Sequence, residues 1–352
     1  MSRLLWFNFA CDEDDPALGF ATSWIRAIRP SFDAIDVITW RAGRFGLSQG
    51  ISVFPLAGGS GANQLQKMIA FYRHLIRLLA KHRYVAAFSH MNPLAAALAA
   101  PLLRMRGIRL VLWYVHPRVD WRLRLANRAA DEVVTAFVDT YPLPHDRLRV
   151  IGHGIDTDHF TPGAGTDMRA PVILYAGRLS AAKNQKTLIL AADELRRRGA
   201  PAFQVMLLGN PLTGVDRIYA AELAAMVEAL GLDETVAFAP AVAWKDMPDW
   251  YRTCRLHVNL ARTGFGDKTP LEALSCGRLS LVAAAGFRAT LGTYADELLV
   301  AHDNPIQLAD RVQTLLEMDA ARLGQIGQVL RRRVESEHSL AGLAQRLAGL
   351  LA

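Results

Sequence analysis

Short apolar runs alternate with longer stretches of helical period along this chain, the pattern of α/β units wound around a parallel sheet. In the first half, Leu4–Phe9, Ala34–Thr39, Ile51–Phe54, Val85–Phe88, Arg109–Trp113, Glu132–Thr135 and Arg149–Ile151 read as strands. A stretch of breakers and small residues, Thr161–Ala170, then resets the pattern. Beyond it, strands are expected at Val172–Ala176, Gln204–Leu208, Thr235–Phe238, Leu256–Leu260, Leu279–Ala283 and Leu298–Ala301. Helices are expected at Gln185–Arg198, Arg217–Leu230, Pro270–Cys276, Pro305–Met318 and Ala321–Glu335. The spacing predicts two Rossmann-like α/β domains, residues 1–162 and 163–335, with 336–352 a C-terminal helix free to pack back on the first. Two such domains would face each other with the carboxyl ends of both sheets across a central cleft, where open α/β sheets bind ligands.

Composition narrows the class. At 352 residues, 51% hydrophobic and 21% charged, the chain is globular and long enough for two cores. The N-terminal apolar run ends in acids after about six residues, too short for a signal segment. Val85–Leu103 is interrupted by Ser89, His90, Asn92, Pro93 and Pro101, so no membrane span is expected. Cys11, Cys254 and Cys276 are odd in number and form no C-x-x-C pair, which points to a reducing, cytoplasmic setting without zinc or disulfides.

Charge is uneven: residues 1–165 hold 19 Lys/Arg against 13 Asp/Glu, the remainder 21 against 20. No acid falls between Asp36 and Asp120, a stretch with 11 basic residues, so the first domain should attract anions. Within it, Gln66–Lys81 reads as an amphipathic helix, with Met68, Tyr72, Leu75 and Leu79 on one stripe and Arg73, Arg77 and Lys81 on another. Such a helix either packs on a core with a wet basic face or lies on the anionic inner leaflet of a membrane as a peripheral contact. Nucleic acid is not expected, since no stacking platform or known motif accompanies the charge.

Candidate chemistry lies in the second half. A strand ends in Gly177-Arg178, with Lys183 five residues on and a helix after it. Two cations beside a helix N-terminus suit a diphosphate, although solvated basic residues at a turn would look the same. A second strand runs into Gly264-Phe265-Gly266-Asp267-Lys268-Thr269-Pro270-Leu271-Glu272. Pro270 suits a first helical turn, the Gly264–Thr269 amides could cradle phosphate, and Glu272 could accept from ribose hydroxyls or merely favour the helix dipole.

Together the two segments resemble the retaining GT-B glycosyltransferases of family GT4. Leu207-Leu-Gly-Asn-Pro211, Val236-Ala-Phe-Ala-Pro240, Met247-Pro-Asp-Trp-Tyr251 and the Gly154-Ile-Asp156 turn before Phe160 add to the resemblance. Ser89–Pro93 and Val111–His116 are similar to a bacterial and archaeal surface-glycan branch with a Gly-x-x-Asp-Lys loop. The resemblance implies transfer of a sugar from a nucleoside diphosphate sugar to a glycan or lipid-linked acceptor in cell-surface glycan synthesis, with no metal or other cofactor. It implies that Gly177, Arg178 and Lys183 meet the diphosphate and that Gly264, Phe265, Gly266, Asp267, Lys268, Thr269 and Leu271 line phosphate and sugar. Glu272 would hold the ribose, Asn210 and Val242 would line the base, and His116 would lie near the donor sugar.

The family's Glu-x7-Glu pattern is broken, because Gly264 stands where its first glutamate would be. The donor sugar could then meet the loop backbone, Asp267 or Lys268. Growing negative charge on the leaving diphosphate would be stabilised by Arg178, Lys183 and the loop amides. The acids Asp12, Glu13, Asp14 and Asp15 are a solvated loop, an acceptor-sugar contact or a metal site. His90 and Asn92 are weaker candidates of the same kind as His116. The competing functions are a sugar-nucleotide epimerase or hydrolase of the same fold, and a non-catalytic nucleotide-sugar-binding partner subunit.

Overall fold

The computed structural model describes residues 2–13, 15, 19–46, 49–56, 63–164 and 170–352; Asp14 of the acid run and 165–169 of the expected linker lie outside them. The chain forms two compact units. One runs to Gly154 and takes back Leu340–Ala352, and the other is Ile155–Ser339.

Among the described residues the first unit holds seven strands: β1 (Arg3–Cys11), β2 (Ala34–Ala42), β3 (Ile51–Pro55), β4 (Ala86–His90), β5 (Arg109–Trp113), β6 (Glu132–Thr135) and β7 (Leu148–Val150). They pair in parallel in the order β3-β2-β1-β4-β5-β6-β7. The central strand β1 carries Leu4, Leu5, Trp6 and Phe7, all wholly buried. Successive side chains point to opposite faces, so an unbroken apolar run means both faces are covered, as parallel sheets require.

The helix Gln64–Lys81 covers part of this sheet, and its N-terminus is closed by a reciprocal capping box between Asn63 and Gln66. Its buried face is Ala70, Phe71, Leu75, Leu78 and Leu79, with Phe71 against Phe7 and Trp40. The expected stripe is thus corrected: Phe71 takes the core position, Tyr72 is only half-buried, and Met68 is exposed. A wide aromatic ring facing β1 and β2 decides the rotation of the helix about its axis.

The second unit holds β8 (Val172–Ala176), β9 (Gln204–Leu208), β10 (Val236–Ala239), β11 (Leu256–Asn259) and β12 (Ser280–Val282), parallel in the order β10-β9-β8-β11-β12. The expected strand at Leu298–Ala301 is not formed. Leu298 ends a short helix, and Leu299 makes only an isolated bridge to Val282.

The passage between units falls at Gly154–Ile155, earlier than the expected 162–163. The Ile155 amide donates to His338 O at 2.8 Å, and Phe160 O accepts from Ser275 Oγ at 2.7 Å and Arg331 Nη1 at 2.9 Å. These bonds fix 155–160 to the second unit. The last helix, Leu340–Leu351, buries Leu343, Ala344, Leu347 and Leu351 in the first unit. There Arg346 Nε donates to Ile151 O at 2.9 Å.

In the second unit β8 and β9 are each followed by a glycine of unusual conformation. Gly177 (φ +152°) donates its amide to Leu208 O, and Gly209 (φ +155°) donates to Ala239 O, each at 2.9 Å. A Cβ on Gly209 would lie 2.0 Å from Gly177 O, so only glycine lets the two turns close. Gly209→Ala is therefore expected to cost about 3 kcal/mol in urea unfolding, because the clash is with backbone. A loss within 0.5 kcal/mol would refute this close approach.

Candidate active site

Four neighbouring strands of the second unit bring their carboxyl ends to one edge. Gly177–Lys183 follows β8, Gly209–Asn210 follows β9, Pro240–Val242 follows β10, and Leu260–Thr269 follows β11. The order reverses between β8 and β11, the place where open parallel sheets leave a crevice.

Arg178 leaves β8 beside the capping box of the helix Gly214–Ala229. Its half-exposed side chain has Nε 4.0 Å from Asp216 Oδ2. Gln185 Nε2 donates to Arg178 O at 2.9 Å and holds the turn. A single 3-10 turn, Ala181–Lys183, precedes Asn184, whose φ of +53° starts the helix Gln185–Arg197.

Lys183 is the most constrained of the cations. Its ammonium donates to both carboxylate oxygens of Asp267 and stands 5.7 Å over the Phe265 ring. Asn259, the last residue of β11, gives its amide nitrogen to Asp267 Oδ2 at 2.9 Å and Thr269 Oγ1 at 3.1 Å, while its oxygen accepts from Ala261 N at 3.1 Å. Burial would raise the Asp267 carboxyl. The Lys183 charge and its hydrogen bonds, with Asn259 and His257 adding, more than offset this and hold it below the ordinary value. Beneath them the buried Tyr175 hydroxyl donates to Lys183 O and accepts from Leu260 N at 3.4 Å. One side chain thus joins the loops after β8 and β11.

Glu272 sits in the first turn of the helix Thr269–Ser275 and is almost fully buried. Its Oε2 accepts from the Tyr251 hydroxyl at 2.9 Å. Burial raises the Glu272 carboxyl, opposed by the Tyr251 bond and by Lys268. Burial likewise pushes the Lys268 ammonium down, opposed by Glu272. Asn210 Oδ1 accepts from Ala241 N at 3.2 Å, which ties the expected base-lining segments of Asn210 and Val242 together.

Several expected roles change. The Phe265 amide is taken by Arg262 O at 3.2 Å, so it does not stand open to a phosphate. The reason is the turn that Gly264 makes at φ +94°. Leu271 is wholly buried and packs as core, so its side chain presents nothing to a ligand.

Tyr175, Tyr251 and Asn259 had no assigned role. Each is a polar-tipped residue in or beside an apolar run, and a buried hydroxyl or amide in such a place needs a partner.

The first-unit candidates have structural partners. His116, just past β5, accepts from Arg118 N at its Nδ1 at 3.0 Å and meets the Tyr114 ring edge-on. His90 is buried among Trp6, Phe20, Trp24 and Phe88, with Nδ1 3.2 Å from Asn8 Oδ1. Asn92 caps the helix Pro93–Met105. In the acid run, Glu13 pairs with Arg26 and accepts from Gly46 N, and Asp15 pairs with Arg41 at 2.7 Å. Among the described residues, no three His, Cys, Asp or Glu side chains gather to hold a metal.

Comparison with known proteins places this geometry. Residues 170–318 match the family model described as Glycosyl transferases group 1. The D-inositol 3-phosphate glycosyltransferase of Frankia alni is 30% identical over 206 residues, 55% of this chain and 50% of that protein. The chain thus spans about half the length of the curated relatives it matches. Sucrose-phosphate synthase from Thermosynechococcus elongatus superposes with a TM-score of 0.81 at 17% identity, over 99% of this chain and 98% of that one. Anabaena HepE in complex with UDP gives 0.78 at 20% identity, over 100% and 99%. At such identities the likeness shows the fold, two Rossmann-like α/β domains of the GT-B glycosyltransferase type.

The Tyr251–Glu272 bond gives a prediction with a definite sign. A carboxyl raised by burial contributes stability present below its unfolded value of 4.5 and lost as pH rises through the folded value. Tyr251→Phe removes a bond that favours the charged form, so the folded value rises further. The variant should lose about 1–3 kcal/mol at pH 8 and distinctly less at pH 4 in chemical denaturation. A loss independent of pH would show that the bond does not act through the carboxylate.

Proposed function

We propose that this protein is a retaining glycosyltransferase that moves a sugar from a nucleoside diphosphate donor to a glycan or lipid-linked acceptor in cell-surface glycan synthesis at the cytoplasmic side of the membrane. The observation that carries this reading is the convergence of Arg178, Lys183, Asn210 and Glu272 on the carboxyl edge of one parallel sheet. The glycosyltransferase group 1 match over 170–318 and the HepE structures holding UDP and UDP-glucose support it.

The chemistry follows from the residues. Transfer breaks the bond between the anomeric carbon and the distal phosphate oxygen, and negative charge grows on the leaving diphosphate. Arg178 and Lys183 stabilise that charge without a metal, and the low exposure of Lys183 makes its electrostatic attraction stronger than it would be in water. Glu272, fixed through Oε2 by Tyr251, offers its other oxygen to ribose hydroxyls. Asn210 and Val242 border the base, and His116 stands on the acceptor-side domain.

A panel of nucleoside diphosphate sugars should contain one that raises the melting temperature through mass action. Arg178→Ala and Lys183→Ala should then each reduce acceptor-dependent release of the nucleoside diphosphate by about 10²–10³-fold. If no nucleotide sugar shifts the melting temperature, the donor assignment fails; release without acceptor would indicate a hydrolase.

The exposed face of the helix Gln64–Lys81 supports contact with an anionic membrane surface. Leu65, Met68, Ile69 and Ile76 lie outward beside Arg73, Arg77 and Lys81. No helix among the described residues is long and apolar enough to cross a membrane, so this contact would be peripheral. The protein should float with vesicles containing anionic lipid and be released by high salt or by Ile69→Glu. Equal flotation with neutral vesicles would exclude the charged contact.

A further inference from the structure

Two cations at the strand edge of the second unit, Arg178 and Lys183, already face carboxylates. Arg178 Nε lies 4.0 Å from Asp216 Oδ2, and the Lys183 ammonium bonds both oxygens of Asp267. An ammonium has three donors, and Asp267 takes two of those on Lys183. A phosphate oxygen reaching the third donor comes to rest beside the Asp267 carboxylate. The Lys183 and Asp267 side chains are only 15% and 17% exposed, so solvent screens this encounter weakly.

The consequence depends on what the distal phosphate carries. Capped by a sugar it bears one negative charge; free, it bears close to two at neutral pH, because its second ionisation lies near pH 6. The additional charge is repelled by a carboxylate at close range. A sugar cap also brings hydroxyl donors, and an ionised carboxylate can only accept. Asn259 holds Oδ2 and keeps the group aimed.

Building on the donor reading above, we propose that Asp267 is a specificity-determining residue that makes this site prefer a sugar-capped diphosphate to the free nucleoside diphosphate left after transfer. The same carboxylate holds Lys183 in place before the donor binds and expels the product once the cap is gone.

The test is calorimetric titration of wild type, Asp267→Asn and Asp267→Ser with UDP, the methyl ester of its distal phosphate, and UDP-glucose, with the GDP series in parallel. In either variant the free diphosphate should gain affinity over the sugar-capped one by about tenfold relative to wild type. Wild type alone should bind the methyl ester more tightly than the free diphosphate, a comparison that does not need either variant to fold. Equal changes for capped and free ligands, or wild type favouring the free diphosphate over its methyl ester, would overturn the role of Asp267 and leave the donor site standing. Failure of wild type to bind any ligand of either series would overturn both.

Discussion

Lys183 and Asp267 lie 84 positions apart, and their ion pair is the contact on which the candidate site depends. Taking two charges mostly out of water is costly, and such pairs persist where added hydrogen bonds complete them. Here Asn259 supplies an amide donor to Asp267, and the Phe265 ring lies under the ammonium. The loops after β8 and β11, the two strands at which the sheet order reverses, are held together by that pair and by the Tyr175 hydroxyl below it. Removing either charge would leave the other buried without its partner, so the loops are fixed as a unit.

Around that pair the backbone sets the spacing. Gly209 lies against the Gly177 carbonyl, which brings the turn after β9 alongside the turn that carries Arg178. The Asn210 side chain then reaches the Ala241 amide, so the ends of β8, β9 and β10 follow one another along the edge. On the other side of β8, Tyr251 reaches Glu272 from an adjacent helix and neutralises part of the cost of burying a carboxylate. The close backbone approach and these side-chain bonds preorganise the edge, the condition under which electrostatic stabilisation of a developing charge is strongest.

The first unit is built on a different balance. Three of its buried polar residues, Asn8, His90 and Asn92, bond one another or cap a helix. Of the acids after β1, Glu13 is drawn in by Arg26 and Asp15 by Arg41. Arg73, Arg77 and Lys81 remain outward, beside exposed apolar side chains on the same helix. In the second unit, by contrast, Arg178 and Lys183 stand at strand ends beside Asp216 and Asp267.

What could be read from the sequence is what depends on near neighbours. Leu4–Phe7 and Val172–Ala176 announce strands covered on both faces, because an apolar run without alternation has few other places in an α/β fold. Arg178, Lys183 and Glu272 stand out because their chemistry attaches to a glycine turn or a helix start a few residues away. Leu298–Ala301 misled for the same reason: it has a strand's composition, but after β12 only Leu299 finds a bridge partner. The passage at 154–155 and the rotation of Gln64–Lys81 are equally hidden, since Arg331 decides the first, and Phe7 and Trp40 against Phe71 the second, from a distance. Only the folded sheet settles that Lys183 meets Asp267, that Tyr251 meets Glu272 and that Tyr175 bridges two loops. Strand order determines which remote segments become neighbours, and periodicity along a chain carries no record of that order.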